Sequence, residues 1–225
     1  MASLQQGRYA LLVAGGSGLR MGAALPKQFL PLGGRPVLMH TLERFAPLVE
    51  RLVVVLPEEQ RGYWAELCAQ HDFTLPHEVT AGGATRFHSV AAGLSLLPEE
   101  GLVAVHDGVR PLLSAGLIEA CFEAAARAGA ALPALPVTDS LRQLQQGSSR
   151  AVDRADYVAV QTPQTFQLCQ LHAAYRQPYR PSFTDDASVW EAAGFAAPEL
   201  VPGEPQNIKL TQPLDLKLAE LLLKD

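Results

Sequence analysis

Cysteine, long apolar runs and basic charge are all scarce in this sequence, and each scarcity excludes a class of protein. Cysteine occurs three times in 225 residues, at Cys68, Cys121 and Cys169. The three lie far apart in apolar or amphipathic segments, and no Cys/His pair has zinc-finger spacing. A disulfide framework and a structural zinc site are therefore excluded, and reduced, buried thiols are expected. The early apolar run Tyr9 to Ala14 falls far short of the roughly 20 residues that cross a bilayer. It runs straight into glycines, so it reads as a buried strand and not as a signal peptide, and the chain reads as cytoplasmic with no membrane partner. With 18 Lys and Arg against 23 Asp and Glu, the formal net charge is −5. No basic stripe is left for a nucleic-acid backbone, although a few local cations can still hold a small anion. Internal repeats, low-complexity tracts and linkers are missing as well. At 225 residues and 48% apolar, the chain is expected to form one domain, 1–225.

What is present is an alternation of short apolar runs with helical spacings. Tyr9–Ala14, Arg51–Leu56 and Leu102–His106 have the composition of strands buried on both faces. Helical patterns follow over Val37–Phe45, Glu58–Gln70 and Leu117–Ala128, and another over Thr85–Leu97 stops near Pro98. This predicts an α/β fold of the Rossmann-like type, a mostly parallel sheet wrapped by helices. In such sheets ligands bind beyond the carboxyl ends of the strands. Ser140–Gln161 breaks the pattern: Leu141, Leu144, Val152, Tyr157, Val158 and Val160 flank a polar tip, Gln145–Ser149. It reads as a protruding β-arm, placed at 138–161, with little core of its own, which needs another surface such as a partner subunit to lie against. Asn207–Thr211 is expected as a short strand, and Pro213–Lys224 as a helix with Pro213 at its start.

The first strand ends in Ala14-Gly15-Gly16-Ser17-Gly18-Leu19-Arg20-Met21, followed by Pro26-Lys27-Gln28. No Gly-Lys-Ser/Thr closes a Walker A loop, and Gly16-x-Gly18-x-x-Met21 has the wrong third residue for a dinucleotide fingerprint. A tight strand-to-helix turn would account for the glycines alone. Arg20 and Lys27 in the same loop turn exposed backbone donors into a site for a triphosphate. His106-Asp107-Gly108-Val109-Arg110-Pro111 ends another apolar strand. There Asp107 is either a magnesium ligand or part of an ordinary Asp-Gly turn. Arg110 could pair with a substrate phosphate, and His106 reads as packing behind them. Gly82-Gly83-Ala84-Thr85-Arg86-Phe87-His88-Ser89 is a second glycine loop, or simply a helix start capped by Thr85. Lys209, inside Ile208-Lys209-Leu210, is open between a functional role and a solvent-facing one.

With these segments in this order, the sequence resembles the 2-C-methyl-D-erythritol 4-phosphate cytidylyltransferases (the IspD family) of the non-mevalonate isoprenoid pathway. The resemblance runs over nearly the full length. Beyond the segments above it includes Pro136-Val137-Thr138-Asp139-Ser140, Val152-Asp153-Arg154, Gln161-Thr162-Pro163-Gln164, Thr184-Asp185-Asp186-Ala187-Ser188 and Asn207-Ile208-Lys209-Leu210-Thr211. Ala84 stands where an acidic residue often follows the two glycines, Gln206 where one often precedes the asparagine, and Ser140 where threonine is usual.

The resemblance implies a nucleotidyltransferase that joins CTP to 2-C-methyl-D-erythritol 4-phosphate and releases diphosphate, by in-line attack of the substrate phosphate on the α-phosphate. It implies that Ala14, Gly15, Gly16, Ser17, Gly18, Gly82, Gly83, Ser89 and Gly108 bind CTP, with the Gly108 N–H on the ribose. Arg20, Lys27 and Lys209 would be catalytic, and Asp107 would hold Mg²⁺. Arg110, Ser140, Arg154 and Thr184 would surround the phosphorylated polyol. It further implies a homodimer with arm-swapped active sites, Ser140 and Arg154 serving the partner. Ribitol 5-phosphate is the alternative acceptor. A nucleotide-sugar glycosyltransferase and a non-catalytic CTP sensor are the readings from other classes, and diphosphate release separates both from the transferase.

Overall fold

The computed structural model describes residues 6–15 and 25–223. From the N-terminus come β1 (Arg8–Val13), a small hairpin of β2 (Pro31–Leu32) and β3 (Arg35–Pro36), α1 (Val37–Phe45) and β4 (Arg51–Leu56). Then follow α2 (Arg61–Gln70), β5 (Glu78–Ala81), α3 (Arg86–Leu94), β6 (Leu102–Asp107), α4 (Ala115–Ala128) and β7 (Ala130–Pro136). The last part contains β8 (Leu141–Gln145), β9 (Ser148–Val152), β10 (Val158–Val160), β11 (Gln164–Gln167), α5 (Leu168–Tyr175) and α6 (Asp186–Ala192), closing with β12 (Glu199–Pro202) and α7 (Pro213–Leu222).

The main sheet runs β10-β7-β11-β6-β1-β4-β5, with β12 on the other edge of β7. β5, β4, β1 and β6 are parallel, as are β12 and β7, while β11 and β10 run antiparallel to their neighbours. Alternation along the strands divides the core between two faces. Leu12, Val54 and Ala104 pack with Leu42, Trp64 and Phe122 under α1, α2 and α4. Leu11, Val53 and Val105 pack with Val90, Leu171 and Trp190 under α3, α5 and α6. The helices begin where short polar groups meet orphan N–H donors. Ser114 caps α4, Thr85 caps α3, and Asp185 makes a capping box with Ser188 at α6. Gly129, at φ +88°, ends α4 and returns the chain to the sheet.

The expected α/β architecture is therefore observed, with differences of detail. The helix expected from Glu58 begins as a 3-10 turn, Glu58–Gln60, before α2. Asn207–Thr211 is no strand. The Asn207 side chain donates to the Thr162 carbonyl at 2.8 Å, and the Ile208 N–H turns back to the Gln206 carbonyl at 2.7 Å. The Ile208 N–H is spent on this turn, and the Leu210 N–H makes a single backbone bond, to the Val109 carbonyl at 3.0 Å, where a ladder needs a series. The arm is a true hairpin only over β8 and β9, paired from Leu141↔Val152 to Gln145↔Ser148 around Gly147 at φ +73°. Val158–Val160, expected within the arm, instead joins the main sheet against β7. Of the three cysteines only Cys121 is buried, with burial pushing its thiol up to about 12. Cys169 is exposed on α5, against expectation. No helix among the described residues is long and apolar enough to cross a membrane.

Candidate active site

β1 lies between β4 and β6, with Val13 level with both Val55 and Asp107. The chain order reverses at this point, and a crevice opens beyond the strand ends. Ala14 and Gly15 enter it from β1, Asp107 from β6, and Gly83, Ala84 and Thr85 from the turn after β5. Lys27, Arg86, Ser89 and Lys209 bring polar side chains to it, with Val13, Gln28 and Val109 also in its lining.

Asp107 is the electrostatic centre. Its side chain is 11% exposed, and its Oδ2 receives both Arg110 Nε and Lys209 Nζ at 3.1 Å. Burial pushes the Asp107 carboxyl upward, but the charges of Lys209, Arg86 and Arg110 outweigh it and hold the group well below the usual carboxylate range. An ionised oxygen donor thus faces a cleft in which cations predominate, an environment suited to a polyanion accompanied by a hard metal ion.

A buried polar network holds this carboxylate in place. The Asp107 N–H donates to Thr162 Oγ1 at 3.2 Å, leaving the threonine hydrogen for His106 Nδ1 at 2.9 Å. His106 Nε2 then donates to the Arg110 carbonyl at 3.2 Å. His106 is fully buried and lies 4.9 Å from the Phe45 ring. Burial lowers its pKa to about 4, so the imidazole is neutral and its tautomer is set by these partners. Arg110 Nη1 reaches the Asn207 carbonyl at 2.8 Å, and Gln161 Nε2 donates to the Glu204 carbonyl at 2.9 Å. His106 thus both packs, against Phe45, and supports the site by hydrogen bonds to Thr162 and Arg110.

The second glycine loop is tightly built. Ser89 Oγ accepts the Gly83 N–H at 3.2 Å and donates to the Thr85 carbonyl at 3.0 Å. A Cβ on Gly83 would stand 2.4 Å from His88 Cβ, closer than real Cβ atoms come. Behind the loop, Arg86 grips Asp186 with two bonds of 2.7 and 2.6 Å, and Tyr175 donates to the same carboxylate at 2.6 Å. Burial disfavours charge on Arg86, but Asp186 holds its pKa above the ordinary value. The pair joins the start of α3 to the start of α6.

The residues singled out in the sequence separate into groups. Ala14, Gly15, Lys27, Gly83, Ser89, Asp107 and Lys209 line one cleft, and Gly82 adjoins it, its N–H bonded to the Leu56 carbonyl at 2.7 Å. Gly16, Ser17, Gly18 and Arg20 lie outside the described residues. Gly108 requires a correction. Its N–H, expected to meet a ribose, donates to the Val13 carbonyl at 2.9 Å and so extends the β1–β6 ladder. Glycine is needed there because a Cβ would come within 2.8 Å of Ala14 Cβ. Arg110, expected to face a substrate phosphate, is 12% exposed and directs Nε and Nη1 to Asp107 and Asn207. Ser140, Arg154 and Thr184 are exposed and do not line the cleft; Arg154 Nη1 is bonded to the Thr138 carbonyl.

Arg86, Thr162, Asp186 and Asn207 received no role from the sequence. Their only signal was membership of the motif segments, because their partners lie far along the chain. Gln164 is similar: its Oε1 accepts the Asp186 and Ala187 N–H groups at 3.0 and 2.9 Å.

Comparisons with known proteins agree with this geometry. Residues 9–225 match the family model described as IspD, 2-C-methyl-D-erythritol 4-phosphate cytidylyltransferase. A protein of that name from Porphyromonas gingivalis is 58% identical over 220 residues, covering 98% of this chain and 99% of its own. One from Bacteroides fragilis is 51% identical over 218 residues, covering 96% and 99%. The crystal structure of the Thermus thermophilus 2-C-methyl-D-erythritol 4-phosphate cytidylyltransferase superposes with a TM-score of 0.79 at 36% identity, over 99% of this chain and 100% of that one.

Proposed function

The chain belongs to the 2-C-methyl-D-erythritol 4-phosphate cytidylyltransferase family, and from that premise we propose how its cleft transfers a cytidylyl group. The substrates are CTP and 2-C-methyl-D-erythritol 4-phosphate, and the products are 4-diphosphocytidyl-2-C-methyl-D-erythritol and diphosphate. A phosphate oxygen of the polyol attacks the α-phosphorus of CTP. A new P–O–P bridge forms as the α–β bridging oxygen departs with diphosphate. A phosphate monoester is anionic at neutral pH, so no serine, cysteine or general base is required. The buried, neutral His106 is accordingly a structural group and not a base.

The observation that carries this reading is the convergence of Lys27, Lys209, Asp107 and the Gly83–Ser89 turn on one cleft at the switch point of the sheet. The two lysines, with Arg20, offset repulsion between two anions and stabilise charge on the crowded α-phosphate. The turn at Gly82 and Gly83, fastened by Ser89, offers main-chain groups to the cytosine. Asp107 suits Mg²⁺ as a single ionised oxygen donor. Among the described residues no group of three or more His, Cys, Asp and Glu is placed to hold a metal, so the remaining ligands would be phosphate oxygens and water, as this ion prefers. When bound, Mg²⁺ supplies charge neutralisation on the phosphates.

The active form we propose is a homodimer. Leu144 is 84% exposed on an arm with no core, and Tyr157, Val158, Val160 and Leu200 expose further apolar surface near its base. An isolated two-stranded hairpin is marginal in water, and a second copy would cover both surfaces isologously. Arg154 and Ser140, at the base of the arm, would then complete the partner's polyol pocket.

The test is diphosphate release from CTP and Mg²⁺ with 2-C-methyl-D-erythritol 4-phosphate and ribitol 5-phosphate as parallel acceptors. Turnover confined to the first is expected, and turnover only with the second would overturn the acceptor. For the dimer, Lys27→Ala and Arg154→Ala chains are co-expressed. A swapped arm leaves one intact site in each mixed dimer, restoring roughly a quarter of wild-type activity, whereas unswapped arms restore nothing.

A further inference from the structure

Arg110 and Lys209 hold the same oxygen of Asp107 at the same distance, 3.1 Å, yet they are not held equally themselves. Arg110 is 12% exposed and has a second bond to the Asn207 carbonyl at 2.8 Å. Asn207 is in turn tied to the Thr162 carbonyl. Moving Arg110 would therefore break two bonds to buried acceptors at once. The Lys209 side chain is 42% exposed and ends on a single partner among the described residues, although the backbone beside it is tied by the Leu210 N–H to the Val109 carbonyl at 3.0 Å. Its ammonium can swing on a four-carbon stem into water or into the cleft at small cost.

We propose that Lys209 is an exchangeable counter-ion of Asp107, which it neutralises in the nucleotide-free enzyme and releases when a divalent cation arrives. This rests on the reading of Asp107 as the metal ligand. While the cleft is empty the ammonium lies 3.1 Å from Asp107 Oδ2, on the oxygen a metal ion would need. A divalent ion at Asp107 displaces it, and the freed ammonium moves to the anion that occupies the cleft. Arg110 stays in place throughout and keeps the carboxylate oriented. Metal and nucleotide then favour each other's binding: the metal frees the lysine for the phosphates, and the phosphates remove the metal's competitor. Such coupling is reciprocal.

The experiment titrates Mn²⁺ into nucleotide-free protein and reads free metal by electron paramagnetic resonance. Lys209→Gln removes the competitor and is expected to bind Mn²⁺ roughly five- to tenfold more tightly than wild type, since a partly exposed ion pair with one buried end is disrupted in only one of them. Lys209→Arg keeps a competing cation and is expected to remain weak. Asp107→Asn is expected to lose the site. If Lys209→Gln binds no more tightly than wild type while Asp107→Asn loses the site, the exchange is overturned and the metal reading survives. If Asp107→Asn binds as wild type does, the metal reading falls and takes the exchange with it. A second readout needs no variant: the acylation rate of Lys209, mapped by mass spectrometry, should rise when Mn²⁺ is added to wild-type enzyme. An unchanged rate counts against displacement.

Discussion

Removing Arg86 should destabilise the protein far more than removing an ordinary exposed arginine. Asp186 is fully buried at the start of α6, where it receives two bonds from Arg86 and one from Tyr175. Arg86→Met leaves that carboxylate in the interior with the tyrosine alone. Breaking a buried pair in this way costs about 3–5 kcal/mol. For a chain of this size that corresponds to a fall in Tm of roughly 6–20 °C. Replacing the whole group behaves differently, because apolar substitutes of similar volume need no partners. Asp186→Leu combined with Arg86→Met alone would still strand the Tyr175 hydroxyl at a cost of about 1–3 kcal/mol, so the compensated protein carries Arg86→Met, Tyr175→Phe and Asp186→Leu together. Urea unfolding followed by tryptophan fluorescence should rank it well above the single Arg86→Met variant and within about 2 kcal/mol of wild type. Turnover separates structure from site. Arg86 lines the cleft and its charge helps hold Asp107 ionised, so activity should stay low in the compensated protein even as stability returns. A single variant that loses less than about 1 kcal/mol, or a triple variant no more stable than the single, would refute the reasoning.

Lys27→Ala should lower turnover at saturating substrates by roughly 10²–10³-fold, measured as diphosphate release, and an unchanged rate would remove Lys27 from the chemistry. His106 makes stability depend on pH in a defined window. Its folded pKa of about 4 lies below the unfolded value near 6.5, so between these values the unfolded chain binds the extra proton. Stability is therefore unaffected by His106 above that window and falls as the pH drops through it, by about 2 kcal/mol between pH 6.5 and 5. His106→Asn should flatten this slope in urea titrations, and identical slopes would show that the ring is not held neutral. Gly83→Ala places a methyl against His88 and must shift the turn. CTP affinity should weaken by isothermal titration while the unfolding midpoint moves little, and loss of both together would mean that the turn is structural only.

Much of this architecture is local in origin. The apolar runs that became β1, β4 and β6 are buried on both faces wherever they go, so composition alone marks them as interior strands. The caps at Thr85, and the proline at Pro213, are likewise written within a few residues of the helices they start. The glycine segments and the Asp107 strand end are legible for the same reason, and the order of motifs along the chain carries the family resemblance by itself.

Partnership across the chain was not legible. Arg86 and Asp186 are 100 residues apart, Arg110 and Asn207 97. Which of two basic residues locks a carboxylate and which only rests on it depends on burial, and burial is a property of the packed fold. Asn207–Thr211 has the composition of a strand, yet the Ile208 N–H turns back on Gln206 and only the Leu210 N–H meets Val109. Gly108 looked like a ligand contact until the β1–β6 register engaged its N–H. Sequence determines short-range preferences, because they arise from each residue's own shape and its near neighbours. Tertiary structure alone decided how each charge and each hydrogen-bond donor is used, because a buried polar group takes whatever partner the topology brings within 3 Å or so.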